Sequence, residues 1–456
     1  MSVSKRERGP TDLFVTHSFQ IPYDRNLYKE LRTMQREAAS AWNDIVREAT
    51  SYYVACKKWV SKTEIQAIQK QTYNLHSQTV QAIADKYTAN RETIRQLRKT
   101  DKKANYPWRR KYYYCIPLKK ASMDISTDTI TIKKVDYGFS LSDLLTKKKK
   151  KNWNEKVPKQ YTSVVIPNRL EEHVDACNYA EIVWRNGAYW FCYAVQVPEQ
   201  DLSAYEKKVA GGDLGEIHAV TVATEDRALV LSGRTMRSIS QFHAKALAEL
   251  SKKMSRCKKG SRQWKKYKDA RNRLRQTSKN QLEALEHKTT KEIVAFLEAE
   301  KVTHLVIGNV SGIEKGTKKN EQKKRKQNKM RRQQLSLWNP GKIKQKLTYK
   351  AKLKGIHVTE TEESYTSQDC PFCGGRHRAK GRTFICSVHK TEIHRDVNGA
   401  QNIARKQHHM AVRPLVSVVF KQPVWYQKFL SKPHKQGETS LQDKPPTGKS
   451  IAGRTA

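Results

Sequence analysis

Residues 209–224 read VAGGDLGEIHAVTVAT. The apolar run interrupted by Gly-Gly-Asp-Leu-Gly predicts a strand, a tight turn and a returning strand, and residues 227–231 predict a third strand. Asp213 lies inside the first of these apolar runs. A carboxylate there is costly without a counterion, and a divalent metal is the usual one. The neighbouring glycines let backbone or substrate approach closely. Downstream, a long helical stretch covers about 238–299, broken near Lys259-Gly260. Residues 303–310 (THLVIGNV) predict a buried strand, about 341–353 a helix, and 356–361 another strand.

Three strands, a long helix, a strand, a helix, a strand and a final helix follow the order of an RNase H-like domain. The chain before it has a different character. Residues 13–21 (LFVTHSFQI) predict a short strand. From about 23 to 100 apolar residues recur at steps of three and four, as in Leu27, Leu31, Met34 and Ala38, which predicts helices. Between 106 and 197 short β-type runs return, and residues 181–197 alternate around Asn186-Gly187, a strong hairpin signal. The expected organisation is a β-barrel from 1–22 and 106–207, a helical insert at 23–105, and an α/β domain at 208–365 and 393–407. A small metal module at 366–392 and a poorly ordered tail at 408–456, apart from an apolar patch at 418–430 (VVFKQPVWYQKFL), complete it.

The metal module rests on spacing. Cys370-Pro-Phe-Cys373 is followed, after twelve intervening residues, by Cys386-Ser-Val-His389. Each pair fits a tight turn that sets two ligands on one side of a tetrahedral ion, and three Cys with one His form a closed, structural zinc site. His377 and His394 are nearby alternatives for the fourth ligand, but His389 has the spacing. Immediately after comes Asp396 at a helix start, a candidate metal ligand beside Asp213. A third acid would ordinarily end the strand 303–310, where Asn309 stands instead. The following strand ends at Glu362-Glu363, and a carboxylate there can reach the same spot from the adjoining strand; Glu314 is the more distant alternative.

Charge bounds the partner. The 456 residues carry 89 Lys+Arg against 44 Asp+Glu, a formal +45, which calls for a polyanion and foremost a nucleic acid. Basic stretches at 147–151, 252–268 and 315–332 are expected to contact phosphates. Trp108 with Arg109 and Arg110, and Tyr112 to Tyr114, are candidates to stack on bases. No apolar run of about 18 residues spans a membrane, and the N-terminus lacks a signal-peptide core. A cytoplasmic protein with reduced cysteines is expected.

Three segments together resemble the TnpB family of transposon-encoded proteins, relatives of type V CRISPR effectors. They are Gly212-Asp213-Leu214-Gly215, the run from Tyr365 to Cys373, and His394-Arg-Asp-Val-Asn-Gly-Ala-Gln-Asn-Ile403. The resemblance extends more loosely over about 10–405. It implies an RNA-guided DNA endonuclease with a wedge β-barrel, a helical recognition insert, a RuvC nuclease domain of RNase H-like fold and a zinc ribbon. Asp213 and Asp396 are then the first and last RuvC acids. Some branches of the family carry a substitute glutamate two residues before Tyr-Thr-Ser, which here is Glu363. Expected cofactors are structural Zn²⁺, catalytic Mg²⁺ held by Asp213, Glu363 and Asp396, and a guide RNA. The expected target is double-stranded DNA beside a short flanking motif. The alternatives are a nuclease-inactive RNA-guided repressor, a miniature type V CRISPR effector, and a zinc-ribbon RNA-binding protein of translation.

Overall fold

The structure, a computed structural model, describes residues 13–423 except 70–71, 137–159, 171–176, 186, 198–199, 201, 203–204, 311–332, 334–336, 378–380, 409 and 411–414. The basic stretches 147–151 and 315–332 therefore lie outside the described residues, whereas 252–268 are described. The chain divides into two compact units near residue 201.

In the first unit, strand β1 (Leu13–Gln20) leads into helix α1 (Arg25–Cys56). Asp24 caps α1 by accepting the Leu27 N–H at 2.7 Å. Leu31, Met34, Ala38, Trp42, Ile45 and Ala49 form its buried stripe. Helices α2 (Lys62–Ile68) and α3 (Ser77–Leu97) follow, α2 entered through a capping box of Ser61 and Glu64. The strands are β2 (Ile116–Lys119), β3 (Met123–Ile125), β4 (Thr129–Asp136), β5 (Gln160–Pro167), β6 (Cys177–Arg185) and β7 (Ala188–Val197). The β6–β7 hairpin has Gly187 at φ +80°, the conformation that the Asn-Gly signal requires. Among the described residues the strands form two antiparallel sheets, β1-β7-β6-β2 and β3-β4-β5, over one shared core, and no ladder closes them into the expected barrel. The chain changes sheet at the 3-10 turn Lys120–Ser122, which leaves too little length for β2 to continue into β3.

The second unit is built on one six-stranded sheet. Its strands are β8 (Val209–Asp213), β9 (His218–Ala223), β10 (Arg227–Ser232), β11 (His304–Asn309), β12 (His357–Glu362) and β15 (Ser417–Lys421), with the small hairpin β13 (Thr383–Ile385) and β14 (Glu392–His394) between the last two. The order is β12-β11-β8-β9-β10-β15. Strands β8, β9 and β10 form an antiparallel meander; β11 joins β8 in parallel, and β12 joins β11 in parallel. Helix α4 (Arg234–Ser255) ends before Gly260 at φ +87°, and α5 (Arg262–Ala299) begins just after it, which accounts for the break seen in the sequence. Ile293, Val294 and Leu297 of α5, with Ile343, Leu347 and Ala351 of α6 (Pro340–Leu353), cover one face of the sheet. Helix α7 (Arg395–Arg405) covers the other through Val397, Ala400, Ile403 and Ala404.

The apolar patch in the tail begins in a strand. Ser417–Lys421 forms a strand parallel to β10, pairing Arg227 with Ser417 through Leu231 with Lys421. Three apolar residues in a row there, Val418, Val419 and Phe420, supply the β-propensity that Pro and Lys around them conceal.

Candidate active site and metal cluster

Strand parity decides which side chains meet. Val209 and Val306 pack toward α7, while Ala210, Leu305 and Ile307 pack toward α5 and α6. Gly211, Asp213 and Gly308 share the parity of the first set and so face α7. Gly211 lets α7 lie against the strand: a Cβ there would stand 1.8 Å from the Ala400 carbonyl oxygen. Gly399 serves the Asp213 carboxylate in the same way, its would-be Cβ lying 3.1 Å from Asp213 Oδ2. Asp396, in the first turn of α7, is thereby brought over the end of β8.

The Glu363 carboxylate lies over Gly308, not over Asn309. Asn309 has the opposite parity and is exposed. A Cβ on Gly308 would fall 2.2 Å from Glu363 Oε1, so the Glu363 carboxylate occupies the space a side chain at 308 would fill. Glu363 follows β12, whose Thr361 pairs with Gly308. The backbone N–H of Leu214, one residue from Asp213, lies on the Glu363 carboxylate's side and favours its charged form. The backbone around it is pinned: Thr366 N donates to the Glu363 carbonyl at 3.2 Å, and Lys406 Nζ donates to the Glu362 and Ser364 carbonyls at 3.1 and 2.7 Å. Glu362 points to a different partner, the Ser364 hydroxyl.

Three carboxylates gathered this way perturb one another. Burial, then the charges of Glu363 and Asp396, push Asp213 up to about 8 against Arg395 and Arg382. Burial raises Glu363 to about 7, with the Leu214 N–H and Lys406 opposing. Burial would raise Asp396 too, but the hydrogen bond from His218 and the charges of Arg382, His218 and His394 outweigh it and hold the group below the usual carboxylate range. His218 Nδ1 lies 2.6 Å from Asp396 Oδ2, and Arg382 Nη1 donates to the same oxygen at 2.8 Å. Glu363 Oε1 is buried with no hydrogen-bond partner in the protein. A buried, unpartnered carboxylate oxygen among like charges fits a divalent cation.

Cys370, Cys373, Cys386 and His389 converge, with their ligand atoms all within 4.8 Å of one another. The Phe372 N–H reaches Cys370 Sγ and the His389 N–H reaches Cys386 Sγ, each at 3.4 Å. That is how a knuckle turn stabilises a thiolate, and the His389 N–H is the foremost cause of the lowered Cys386 thiol pKa, about 6. His377 Nε2 stands 3.8 Å from Cys373 Sγ and 3.7 Å from Cys386 Sγ, outside the four-residue set. His394 lies with His218 and Asp396 instead.

The sequence left several supporting residues unread. Asn402 Nδ2 donates to the Thr366 and Asp369 carbonyls at 2.8 Å each, and Asn398 Nδ2 donates to Asp369 O at 3.0 Å. These amides tie the 363–369 segment, and with it Glu363 and Cys370, to α7. The repeated Asn at positions 398 and 402, one helical turn apart, was the available signal. His218 and Arg382 carried none, because each meets Asp396 only through the tertiary fold.

Among the predicted stacking residues, Trp108 and Tyr112 are 66% and 79% exposed and border a groove of about 830 Å³ on α1. Tyr114 is not available: it is buried and stacked on Trp42 with ring centroids 4.7 Å apart. Lys252, Lys253, Lys258, Lys259, Lys265, Lys266 and Lys268 all face solvent.

A meander extended in parallel, with a Cys₃His cluster spliced in ahead of the last helix, makes this a multidomain α/β protein. The solved structure titled "Cryo-EM structure of the Cas12f1-sgRNA-target DNA complex" superposes with a TM-score of 0.59 over 84% of this chain and 83% of that one, at 16% identity. Residues 341–403 match the family model "Cas12f1-like, TNB domain", and residues 191–314 match the one described as "Probable transposase". "Putative RNA-guided DNA endonuclease InsQ" of Escherichia coli (strain K12) is 28% identical over 40% of this chain and 46% of its own length. "CRISPR-associated endodeoxyribonuclease Cas12f2" of Micrarchaeota archaeon (strain CG1_02_47_40) is 28% identical over 31% of this chain and 27% of its own length. The matched regions thus span less than half of either relative. Over these matched regions the chain is similar to transposase-type and Cas12f-type proteins.

Proposed function

We propose that the protein is an RNA-guided DNA endonuclease that cleaves target DNA next to a short flanking motif. The observation that carries this reading is the meeting of Asp213, Glu363 and Asp396 on one face of the sheet, with a Glu363 oxygen left unpartnered. The names of both relatives and the formal +45 charge support a nucleic-acid substrate.

In this reading residues 1–22 and 106–207 are the wedge domain and 23–105 the recognition insert. Residues 208–365 and 393–407 are the RuvC domain of RNase H-like fold, and 366–392 the zinc ribbon. Its meander, extended in parallel by β11 and β12, is the support for the RNase H-like assignment. Cys370, Cys373, Cys386 and His389 hold structural zinc. Asp213, Glu363 and Asp396 hold magnesium, whose chemistry when bound is activation of a water and stabilisation of the leaving 3′ oxygen. The chain's own contribution is alignment. His218 fixes the Asp396 carboxylate, Thr366 and Lys406 hold the backbone around Glu363, and Arg382 borders the site as a cation. Base pairing between guide and target supplies the sequence reading. No helix among the described residues is long and apolar enough to cross a membrane, and a cytoplasmic site of action is part of the proposal.

The test is purification with co-expressed RNA, sequencing of that RNA, and cleavage of a DNA library with randomised flanks in Mg²⁺. Guide-matched cutting that disappears in Asp213→Ala and Glu363→Ala is the expected result. Guide-matched binding with no cutting by the wild type would replace the nuclease with a repressor.

A further inference from the structure

The Asp396 end of the site holds more donors than three acids need. His218 opens β9 and His394 closes β14, and each is only partly exposed. One ring nitrogen from each and one Asp396 oxygen lie within 4.8 Å of one another. The imidazole centroids are 5.2 Å apart. Phe420 of β15 packs on both, 6.3 Å from His218 and 5.4 Å from His394, so an apolar ring shields this corner. Orienting Asp396 requires one histidine, and His218 already does that at 2.6 Å. His394 is unexplained by this role, and its Nδ1 is buried without a hydrogen-bond partner in the protein.

We propose that His218, His394 and Asp396 form a metal position selective for a nitrogen-favouring transition dication over magnesium. The proposal deepens the nuclease reading, because Asp396 is shared with the carboxylate set. Two imidazoles and a carboxylate are a donor set for the later first-row dications, whereas magnesium demands oxygen ligands and sheds its waters reluctantly. Room exists at the carboxylate. Arg382 Nη1 holds Oδ2 at 2.8 Å, but its side chain is 40% exposed and can swing outward. Oδ1 lies 3.6 Å from Arg395 Nε, too far for a hydrogen bond. Phe420 supplies the dry wall that strengthens such a site and narrows access to it.

The test uses the full chain with its cysteine cluster loaded with zinc and with Asp213→Asn and Glu363→Gln in place, so that magnesium-type binding is removed. Cobalt(II) is titrated and followed by its visible absorption and by calorimetry, with Mg²⁺ as competitor. The expected result is one cobalt per chain, resistant to Mg²⁺, with affinity falling by about tenfold or more in His394→Gln and in His218→Gln. Circular dichroism and retained zinc content show that each variant is folded, and His394→Asn provides a second substitution if His394→Gln is not. Unchanged cobalt affinity in the folded histidine variants, or displacement by equimolar Mg²⁺, overturns the proposal. Because no cleavage is read, a protein that fails to cut DNA still passes or fails this test on its own terms.

Discussion

Glu363 reaches the acid cluster because the strand beside it carries no side chain at position 308. The sequence predicted that an acid from the adjoining strand would serve, but assigned the gap to Asn309. The error is one of parity. Residues 305–308 are buried on both faces, so no polar alternation marks which residues point to α7, and only the packing of Val306 and the close approach at Gly211 reveal it. The corrected geometry separates two substitutions. Glu363→Gln keeps the shape and removes the charge; cleavage should fall by at least about a hundredfold, since a metal-held charge contributes several kcal/mol in the transition state. Asn309→Glu in that background should restore nothing, because its carboxylate faces away from Asp213, and a single-turnover assay that recovered activity there would refute the assignment of faces. The same residues set a pH response. Asp213 and Glu363 titrate higher in the folded chain than unfolded, near about 8 and about 7. The stability they lend is therefore fully present below the ordinary carboxylate range and is lost as pH rises through those values. Asp396 shifts the other way, so what it contributes is lost only as pH falls through its lowered value. Melting in chelator should show a midpoint that drops between about pH 4 and pH 8, less steeply in Asp213→Asn, with added Mg²⁺ recovering more at the higher pH.

Helix α7 joins the cysteine cluster to the acids. Its first residue, Arg395, donates its N–H to the Arg382 carbonyl at 2.8 Å, and β14 pairs Thr383 with His394 immediately before it. The cluster hairpin thus holds both Arg382 and the start of α7 in register with Asp396. The cluster itself was legible, because Cys-x2-Cys and Cys-x2-His place ligands by local turn geometry alone. The splice was not: β13 and β14 are three residues each, too short for any period to register. Strand β15 was hidden for a related reason, since its place is fixed by the free edge of β10 rather than by its own sequence. If a metal holds the hairpin, stripping it should act at a distance. Treatment with a strong zinc chelator should raise amide exchange across 383–394 and the first turn of α7, while 209–213 and 304–309 stay protected by the sheet. Unaltered exchange at 383–394 after verified zinc loss would mean that the hairpin folds without it.

Charge is the property of the whole chain that no single element explains. The excess of 89 basic over 44 acidic residues is spread through both units, in sequence and in the described surface alike, as on the solvent-facing lysines of 252–268. Among the described residues, ion pairs such as Lys279–Glu283 are surface contacts at 3.9 Å that add little stability, whereas the Lys346–Glu286 pair at 2.6 Å is largely buried. Even if every one of the 44 acids paired with one of the 89 cations, 45 would be left for a polyanion, and binding must release the counterions that polyanion carries. Non-specific affinity for a guide-free DNA duplex should fall by about 10³- to 10⁵-fold between about 50 and 200 mM salt, as for a protein making about 6–10 phosphate contacts. Glu363→Gln should shift the absolute affinity slightly and leave the slope untouched, since it removes a single buried carboxylate and no cation. A shallow slope measured by fluorescence anisotropy, equivalent to one or two phosphates, would show that the excess charge serves some end other than nucleic acid.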